Sequence, residues 1–315
     1  MKKKSAVLTL AAATAVAVPS QAFAEETPDA ASILEESNKA MMELESYSSE
    51  TMMEQTVTDP MMEGGSFTTT THSMEDVIMN PFSMKQTATT SMDGEETTLD
   101  SYWTEDGFYQ QDVDGSWIKM DETFTGDINE LIAMSQSGAQ MEQTAALGED
   151  MSVEDTGDSY VLTYEGEGDE LLESAEEMLT SIMPEEDTGT MAAAIFEDIT
   201  VNDLQYVMTV DKETHYMTET TMDLDMDLSI EEQSMNIVQS LDMTVSNFNG
   251  VDEIVVPEDV VNNAVPMDAM MEEEMEEGGA LPDTATNNPF YAAAGAIAAA
   301  AAGSMLFFRR RFARS

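Results

Sequence analysis

The sequence predicts an α+β fold built on a long antiparallel sheet, and three observations carry this prediction. Apolar residues recur at helical spacing near residue 30 and again in the middle of the chain. Two long stretches instead alternate between apolar and polar residues, which is typical of strands with one buried face and one solvated face. Asp-Gly pairs between short aromatic runs indicate β-hairpins. The fold class is therefore a sheet with added helices.

The first predicted element is a helix that begins at Thr27 and Pro28. Threonine can cap a helix, and proline is favoured at the first helical position. The apolar residues at helical spacing are Ile33, Leu34, Ala40, Met41 and Leu44. This apolar stripe must pack against another apolar surface.

Threonine-rich strands are predicted next. Their bounds are 47–58, 66–80, 82–92 and 96–104. Threonine is β-branched and suits a pleated surface. Asp106-Gly107 and Asp114-Gly115 then predict two hairpins within an aromatic meander over 102–118.

The middle of the chain predicts helices over 127–147 and 169–183, with a short strand over 160–164 between them and a loop over 185–194. Strands follow over 199–210, 216–230 and 235–248, and 251–261 closes the domain. The apolar residues of the last two strands are expected to share one buried face. We identify them as the candidate ligand-binding cleft: Met222, Leu224, Met226, Leu228, Ile237, Leu241 and Met243.

The N-terminus is typical of a secretory signal peptide, assigned to 1–24. Three lysines precede an apolar run over 6–18. The predicted cleavage site comprises Ala22, Ala24 and Glu25. No cysteine follows this site, so the pattern excludes a lipoprotein.

The mature chain is strongly acidic. All 64 acidic residues and only four lysines lie between residues 25 and 284, so its formal net charge is about −60. Such a charge argues against nucleic acids and anionic membranes as partners. It indicates adaptation to a saline medium, where the Debye length falls to ~3 Å at 1 M salt. Cation capture by a diffuse acidic surface is the alternative.

Metal and catalytic sites have little support in the sequence. The absence of cysteine excludes disulfides, thiol catalysis and thiolate metal sites. Asp223, Asp225 and Asp227 imitate the start of a calcium loop, but Leu228 stands where glycine is required. Strand alternation explains them better. Methionine pairs such as Met52-Met53 suggest a copper site, but adjacent strand residues point to opposite faces. We expect no cofactor, no metal and no enzymatic activity.

The segment 281–315 combines three features in a fixed order. A short polar pentapeptide precedes an uncharged apolar run over 291–308, and four arginines follow. The run is close to the minimum length of a membrane-spanning helix, and the arginines would remain cytoplasmic. The pentapeptide is Leu281, Pro282, Asp283, Thr284 and Ala285.

This order resembles the sorting signal of Gram-positive surface proteins, which a sortase cuts after threonine. The resemblance implies covalent attachment to peptidoglycan after transient membrane insertion through 291–308. Ala285 stands where the usual signal has glycine, which leaves the sortase class open. A tail-anchored protein with a chance LPxT sequence is the alternative. The expected organisation is then a domain over 25–262, an acidic linker over 263–280, and the sorting signal.

Four phrases within 29–262 resemble the LolA-like domains of Gram-positive surface proteins and lipoproteins. They are "SILEESNKAMMELESYSSE", "DGSWIKMD", "YVMTVDKETHYMTETTM" and "EIVVPEDVV". The resemblance implies a curved antiparallel sheet, an incomplete β-barrel, with helices packed over its concave face. Relatives in the wider carrier group hold acyl chains between sheet and helices. No catalytic residues come with the resemblance.

Three functions remain open. The first is a wall-anchored module that binds a lipid or another amphiphile, which the resemblance and the 29 methionines favour. The second is an adhesive or structural wall protein without a small ligand. Counted from Asn262 to Ala280, the linker has 19 residues and spans at most about 65–70 Å, which is short for a stalk that must cross a thick wall. The third and weakest is a wall-polymer hydrolase that uses paired carboxylates.

Overall fold

The computed structural model describes residues 27–59, 65–92, 94–120, 148, 150–166, 199–230, 233–267 and 269. One sheet of 12 strands dominates these residues. The strands are β1 (Ser46–Thr58), β2 (Ser66–Met79), β3 (Phe82–Met92), β4 (Glu95–Thr104), β5 (Gly107–Gln111), β6 (Trp117–Lys119), β7 (Ser152–Asp155), β8 (Ser159–Gly166), β9 (Ile199–Asp211), β10 (Met217–Ile230), β11 (Gln233–Ser246) and β12 (Val265–Pro266).

Two antiparallel meanders lie side by side in this sheet. The strand order is β12-β6-β5-β4-β3-β2-β1-β11-β10-β9-β8-β7. The first and last long strands, β1 and β11, pair from Ser48↔Ser246 to Thr58↔Asn236 and so join the meanders. Only the short β12–β6 ladder is parallel among the described pairings. No described ladder links β7 to β12, so the sheet is open.

The register assigns each strand residue to one of two faces. Val57, Val77, Leu204, Met226 and Ile237 lie on the same face and belong to one buried cluster. We call this the inner face, and the opposite one the outer face. The alternation of apolar and polar residues along β10 and β11 therefore follows the period of two that a half-buried strand requires.

Helix α1 (Ala30–Met42) begins two residues later than predicted. Asp29, not Thr27, is its N-cap, and Asp29 Oδ1 accepts a hydrogen bond of 2.8 Å from the Ser32 backbone N–H. Aspartate satisfies one of the free N–H groups at a helix start better than threonine does. Hydrogen bonds from the side chain and backbone of Ser32 hold the pKa of Asp29 below its ordinary value.

The apolar stripe of α1 packs on the inner face at the β8–β9 side of the sheet. Ile33 and Leu34 form a buried cluster with Leu162 of β8 and Val210 of β9. Met41, at the end of the helix, belongs to the larger cluster under β9–β11. The predicted helical face is therefore confirmed for these residues. The helices predicted over 127–147 and 169–183, and the loop over 185–194, lie outside the described residues.

The C-terminal part of the described chain covers the outer face near β5 and β6. Helix α2 (Glu258–Asn263) packs Val260 with Val256 against Tyr109 of β5. β12 then pairs with β6. The sheet thus includes Val265–Pro266, which the sequence had placed in the linker because two residues give no period to detect.

The strand predictions agree with the structure to within a few residues. Both Asp-Gly hairpins are present, and Gly107 and Gly115 have φ values of 130° and 86°, which favour glycine. The strand β7 was missed, since it is short and mostly exposed. No helix among the described residues has the length and apolarity needed to cross a membrane. The span predicted over 291–308 lies outside those residues.

Candidate ligand-binding face

The seven residues of the predicted cleft lie together on the inner face. Met222 pairs with Leu241, and Met226 pairs with Ile237, across the β10–β11 ladder. All seven side chains are buried: Met222, Leu224, Met226, Leu228, Ile237, Leu241 and Met243. β9 extends this surface with Leu204 opposite Leu224. We call the inner face of β9–β11 the apolar half.

The inner face of β1–β4 is different, because its middle is polar. Serine, threonine, glutamine and glutamate side chains occupy most of the inward positions between two apolar ends of these strands, and the apolar exceptions are Met53, Ala88 and Leu99. We call this surface the polar half: Ser49, Thr51, Gln55, Thr69, Thr71, Ser73, Glu75, Gln86, Thr90 and Ser101. The inner face is therefore divided into an apolar and a polar half along the β1–β11 ladder.

Hydrogen bonds connect part of the polar half into a network. Gln86 Nε2 donates to Glu75 Oε1 at 2.6 Å and to Ser73 Oγ at 3.2 Å. Ser49 Oγ donates to the second Glu75 oxygen at 3.4 Å, and Ser101 Oγ donates to Gln86 Oε1 at 3.4 Å. The three serines are buried. These groups can offer hydrogen bonds to hydroxyl groups of a ligand, since hydroxyls both donate and accept.

Two glutamines lie opposite each other where the halves meet. Gln55 of β1 pairs with Gln239 of β11, and Gln55 Nε2 donates to Gln239 Oε1 at 3.4 Å. On its other side Gln239 faces Leu224 of β10. Gln239 is 1% exposed, and its Nε2 atom has no hydrogen-bond partner in the described part of the chain.

Tyr206 borders the apolar half on β9, opposite Met222. Tyr206 is half-buried; burial raises its pKa to about 12, and a hydrogen bond with Thr220 lowers it in part. The hydroxyl therefore stays protonated at any physiological pH. It can donate or accept a hydrogen bond but cannot act as a base.

The outer face carries the aspartates that imitate a calcium loop. Asp225 and Asp227 lie on β10, and Asn236 Nδ2 donates to both, at 2.7 Å and 3.1 Å. Asn202, at a bulge in β9, also donates to both carboxylates. These residues form a regular strand, as alternation predicted. Within the described ranges no three acidic or histidine side chains are placed to hold a metal ion.

The methionine pair Met52-Met53 separates as strand geometry requires. Met52 lies on the outer face and is 43% exposed, whereas Met53 lies on the inner face opposite Leu241. The two thioethers cannot converge on one copper ion from opposite faces.

His215 lies in the β9–β10 turn, where it is partly exposed and its Nδ1 atom is 3.5 Å from Glu36 Oε2.

Sequence reasoning missed the polar half and Gln239. Each of these polar residues occupies an inward position, where period-two alternation predicts an apolar core residue. Only the register of the paired strands shows that these polar residues lie together on the inner face. Gln239 stands between Ile237 and Leu241 in the run that predicted the cleft. The pairing of β1 with β11 joins residues almost 200 positions apart, with Gln55 and Gln239 separated by 184. No local pattern reveals such a contact.

Comparison with known proteins gives two family matches. Residues 29–265 match a family of unknown function, DUF6612. Residues 277–311 match the LPXTG cell wall anchor motif. This match establishes that the protein is secreted and anchored to the cell wall, and it implies sortase processing and covalent attachment to peptidoglycan. No curated protein matches the chain.

Several solved structures resemble the chain at low identity. Lipovitellin, in a structure concerned with its lipid–protein interactions, is 6% identical with a TM-score of 0.33; the match covers 69% of this chain but only 26% of lipovitellin. A LolA superfamily protein from Nitrosomonas europaea is 9% identical, with a TM-score of 0.22 and coverage of 74% and 97%. A β-barrel-like protein of the DUF1849 domain from Brucella abortus is 11% identical, with a TM-score of 0.18 and coverage of 63% and 98%.

The family match spans most of the chain, including α1 and every described strand except the final residue of β12. It contains the whole inner face, with both its apolar and its polar half. The chain belongs to the family of unknown function DUF6612, and an LPXTG-type signal anchors it to the cell wall.

Proposed function

We propose that this protein is a non-catalytic binding protein of the cell wall that holds an uncharged amphiphile with an acyl chain. The observation that carries the proposal is the division of the inner face into an apolar half and a polar half along the β1–β11 ladder. An amphiphile has the same division. Its chain would lie against β9–β11 and its head against β1–β4.

The composition of the apolar half supports an acyl chain. Methionine is flexible and polarizable, and it is over-used at surfaces that adapt to varied apolar partners. On the inner face of β10 and β11, methionines lie beside branched residues: Leu224 lies between Met222 and Met226, and Ile237 is opposite Met226. Met243 adds a third methionine on β11. A surface of this kind accommodates chains of different length without a fixed shape.

The charge of the protein supports an uncharged head. Only four lysines oppose 64 acidic residues in the mature chain, and Glu75 lies inside the polar half. A fatty-acid carboxylate or a phospholipid phosphate would meet like charge there and be repelled. A head with hydroxyl groups instead matches the serine, threonine and glutamine side chains of the polar half.

A second wall is needed to enclose a ligand on the inner face. α1 covers its β8–β9 side through Ile33 and Leu34. In our proposal the helices that the sequence predicts over 127–147 and 169–183 supply the remainder, packed over the concave face of a curved sheet.

A structural wall protein without a ligand is the second candidate. Leu228 and Ile237 are both 0% exposed, which is the burial expected of an ordinary filled core. In that case the acidic outer surface would be the functional part. A hydrolase has no comparable support, because the polar half contains a single carboxylate, Glu75, whereas the hydrolase hypothesis needs a pair.

The test is native mass spectrometry on the mature protein, released from cell walls by digestion of the peptidoglycan at high salt. Bound lipid is expected in the wild type and lost in Met226→Phe, which adds volume to the apolar half. Met52→Phe on the outer face is the matched control and is expected to keep the lipid. Circular dichroism checks that both variants fold. A ligand-free wild type that gains no lipid from a membrane extract would favour the structural candidate.

A further inference from the structure

Gln239 is a buried amide whose oxygen accepts a hydrogen bond and whose NH2 group is unpaired in the part of the chain that the structure describes. Its Oε1 atom accepts from Gln55, but its Nε2 atom has no partner among the described residues. The side chain is 1% exposed, so water does not reach it freely. Buried side-chain N–H groups are nearly always paired in folded proteins, and an unpaired one lowers stability. Such a group in a native structure therefore calls for an explanation.

The surroundings of Gln239 do not supply one. Its strand neighbours on the inner face are Ile237 and Leu241, and its β10 partner is Leu224. All three are buried and apolar. A leucine at position 239 would continue this surface and remove the buried unpaired donor. The Gln55 Nε2 atom would lose its acceptor, but Gln55 is partly exposed, so water can replace it. The amide thus costs stability in the free protein, at the border of the apolar half.

We propose that Gln239 Nε2 donates a hydrogen bond to the carbonyl oxygen of an ester- or amide-linked acyl chain. This inference rests on the proposed function and names its ligand class as an O-acyl or N-acyl amphiphile. The bound chain would run from the carbonyl over Leu224 and across the apolar half. The head would extend from the same carbonyl over Gln55 and Thr69, which are opposite each other on β1 and β2.

The missing partner must be an acceptor, because the unpaired atom of Gln239 is its amide Nε2, which can only donate. It must also be uncharged, since the mature chain carries a large negative charge. An acyl carbonyl meets both conditions, and it is the atom at which an amphiphile changes from apolar to polar. Gln239 lies where the inner face makes the same change, between Leu224 and Gln55.

The experiment compares a fatty-acid methyl ester with the n-alkane of equal heavy-atom number. Each displaces a fluorescent apolar probe from the mature wall-released protein at high salt. The wild type is expected to bind the ester about fivefold more tightly, the usual effect of one hydrogen bond. Gln239→Leu is expected to remove this preference by binding the alkane as well as the ester. It should also raise the Tm of the ligand-free protein, because the unpaired donor is gone.

Two further variants secure the result. Gln239→Met removes the amide with nearly the same shape, in case leucine fits poorly. Ser240→Ala changes the next residue of β11, which lies on the outer face opposite Asp223 and Glu54, and should keep the ester preference. A mere packing role for Gln239 would change the Tm but leave the ester-to-alkane ratio as in the wild type.

The outcomes separate this inference from the function on which it rests. Equal binding of ester and alkane by the wild type would overturn the role of Gln239 and leave an apolar binding protein. A preference that persists in both Gln239 variants would do the same. Failure of the wild type to bind either ligand would overturn the proposed function, and the inference with it.

Discussion

Met226 on β10 and Ile237 on β11 are direct cross-strand partners, and their side chains are 1% and 0% exposed on the inner face. The same two residues belong to the main core cluster and to the candidate ligand-binding surface. If the proposed ligand binds there, stability and binding are coupled in this protein. A substitution that enlarges the space for a ligand also removes core contacts.

Leu228→Ala is expected to lower the free energy of unfolding by about 2–5 kcal/mol, because it deletes a fully buried side chain and leaves a cavity. Val238→Ala is the matched control. Val238 lies on the outer face of β11 and is 45% exposed, so its truncation should change stability by about 0.5 kcal/mol or less. Urea unfolding at high salt measures both. Similar losses in the two variants would contradict the assignment of the inner face as the core.

The sequence was sufficient to predict β10 and β11 and the face that they bury. Met222, Leu224, Met226 and Leu228 occupy every second position, and a one-residue shift would bury Asp223 instead. The hairpins at Gly107 and Gly115 followed from local turn chemistry in the same way. These elements could be predicted because the alternation in β10 and β11 is strict and the Asp-Gly turns are strong local signals.

Other parts depend on contacts that local patterns do not encode. β1 pairs with β11, although most of the chain separates the two strands in sequence. Helix α2 buries Tyr109 on the outer face, which the alternation predicts to be exposed to solvent. The helix was predicted to begin at Thr27 but is capped by Asp29, because both residues can cap a helix and they are only two positions apart. Gln239 was hidden because the alternation assigned its position to an apolar residue, and only the register revealed its partner, Gln55.

Tyr206 makes stability sensitive to alkali. Burial raises its pKa from 10.0 to about 12, so the folded-state pKa lies above that of the unfolded chain. Such a group contributes stability that is fully present below pH ~10 and is lost as the pH rises through about 12. Tyr206→Phe is expected to flatten the decline in Tm over this window. Absorbance titration of tyrosinate, compared with Tyr109→Phe as a second buried tyrosine, identifies the group responsible.

The net charge predicts that salt stabilises the protein. Self-repulsion of about 60 excess negative charges opposes the compact state, and ions screen it as the Debye length falls from ~10 Å at 0.1 M to ~3 Å at 1 M. We expect the Tm to rise with sodium chloride over this range. Potassium chloride should act equally if screening is the cause. A rise caused only by a divalent cation at millimolar concentration would instead favour cation capture.

The sorting signal makes its own prediction about the anchor. Thr284 is the residue after which a sortase is expected to cut, between the folded domain and the apolar run over 291–308. Thr284→Ala should abolish covalent attachment, because the threonine is part of the pentapeptide that the sortase recognises and its carbonyl group is the one transferred to peptidoglycan. The protein should then leave the wall fraction and accumulate with the membrane. Thr286→Ala, two residues further on, is the matched control and should remain in the wall. Cell fractionation followed by digestion of the peptidoglycan distinguishes the two, and wall-linked Thr284→Ala would show that attachment uses a different site.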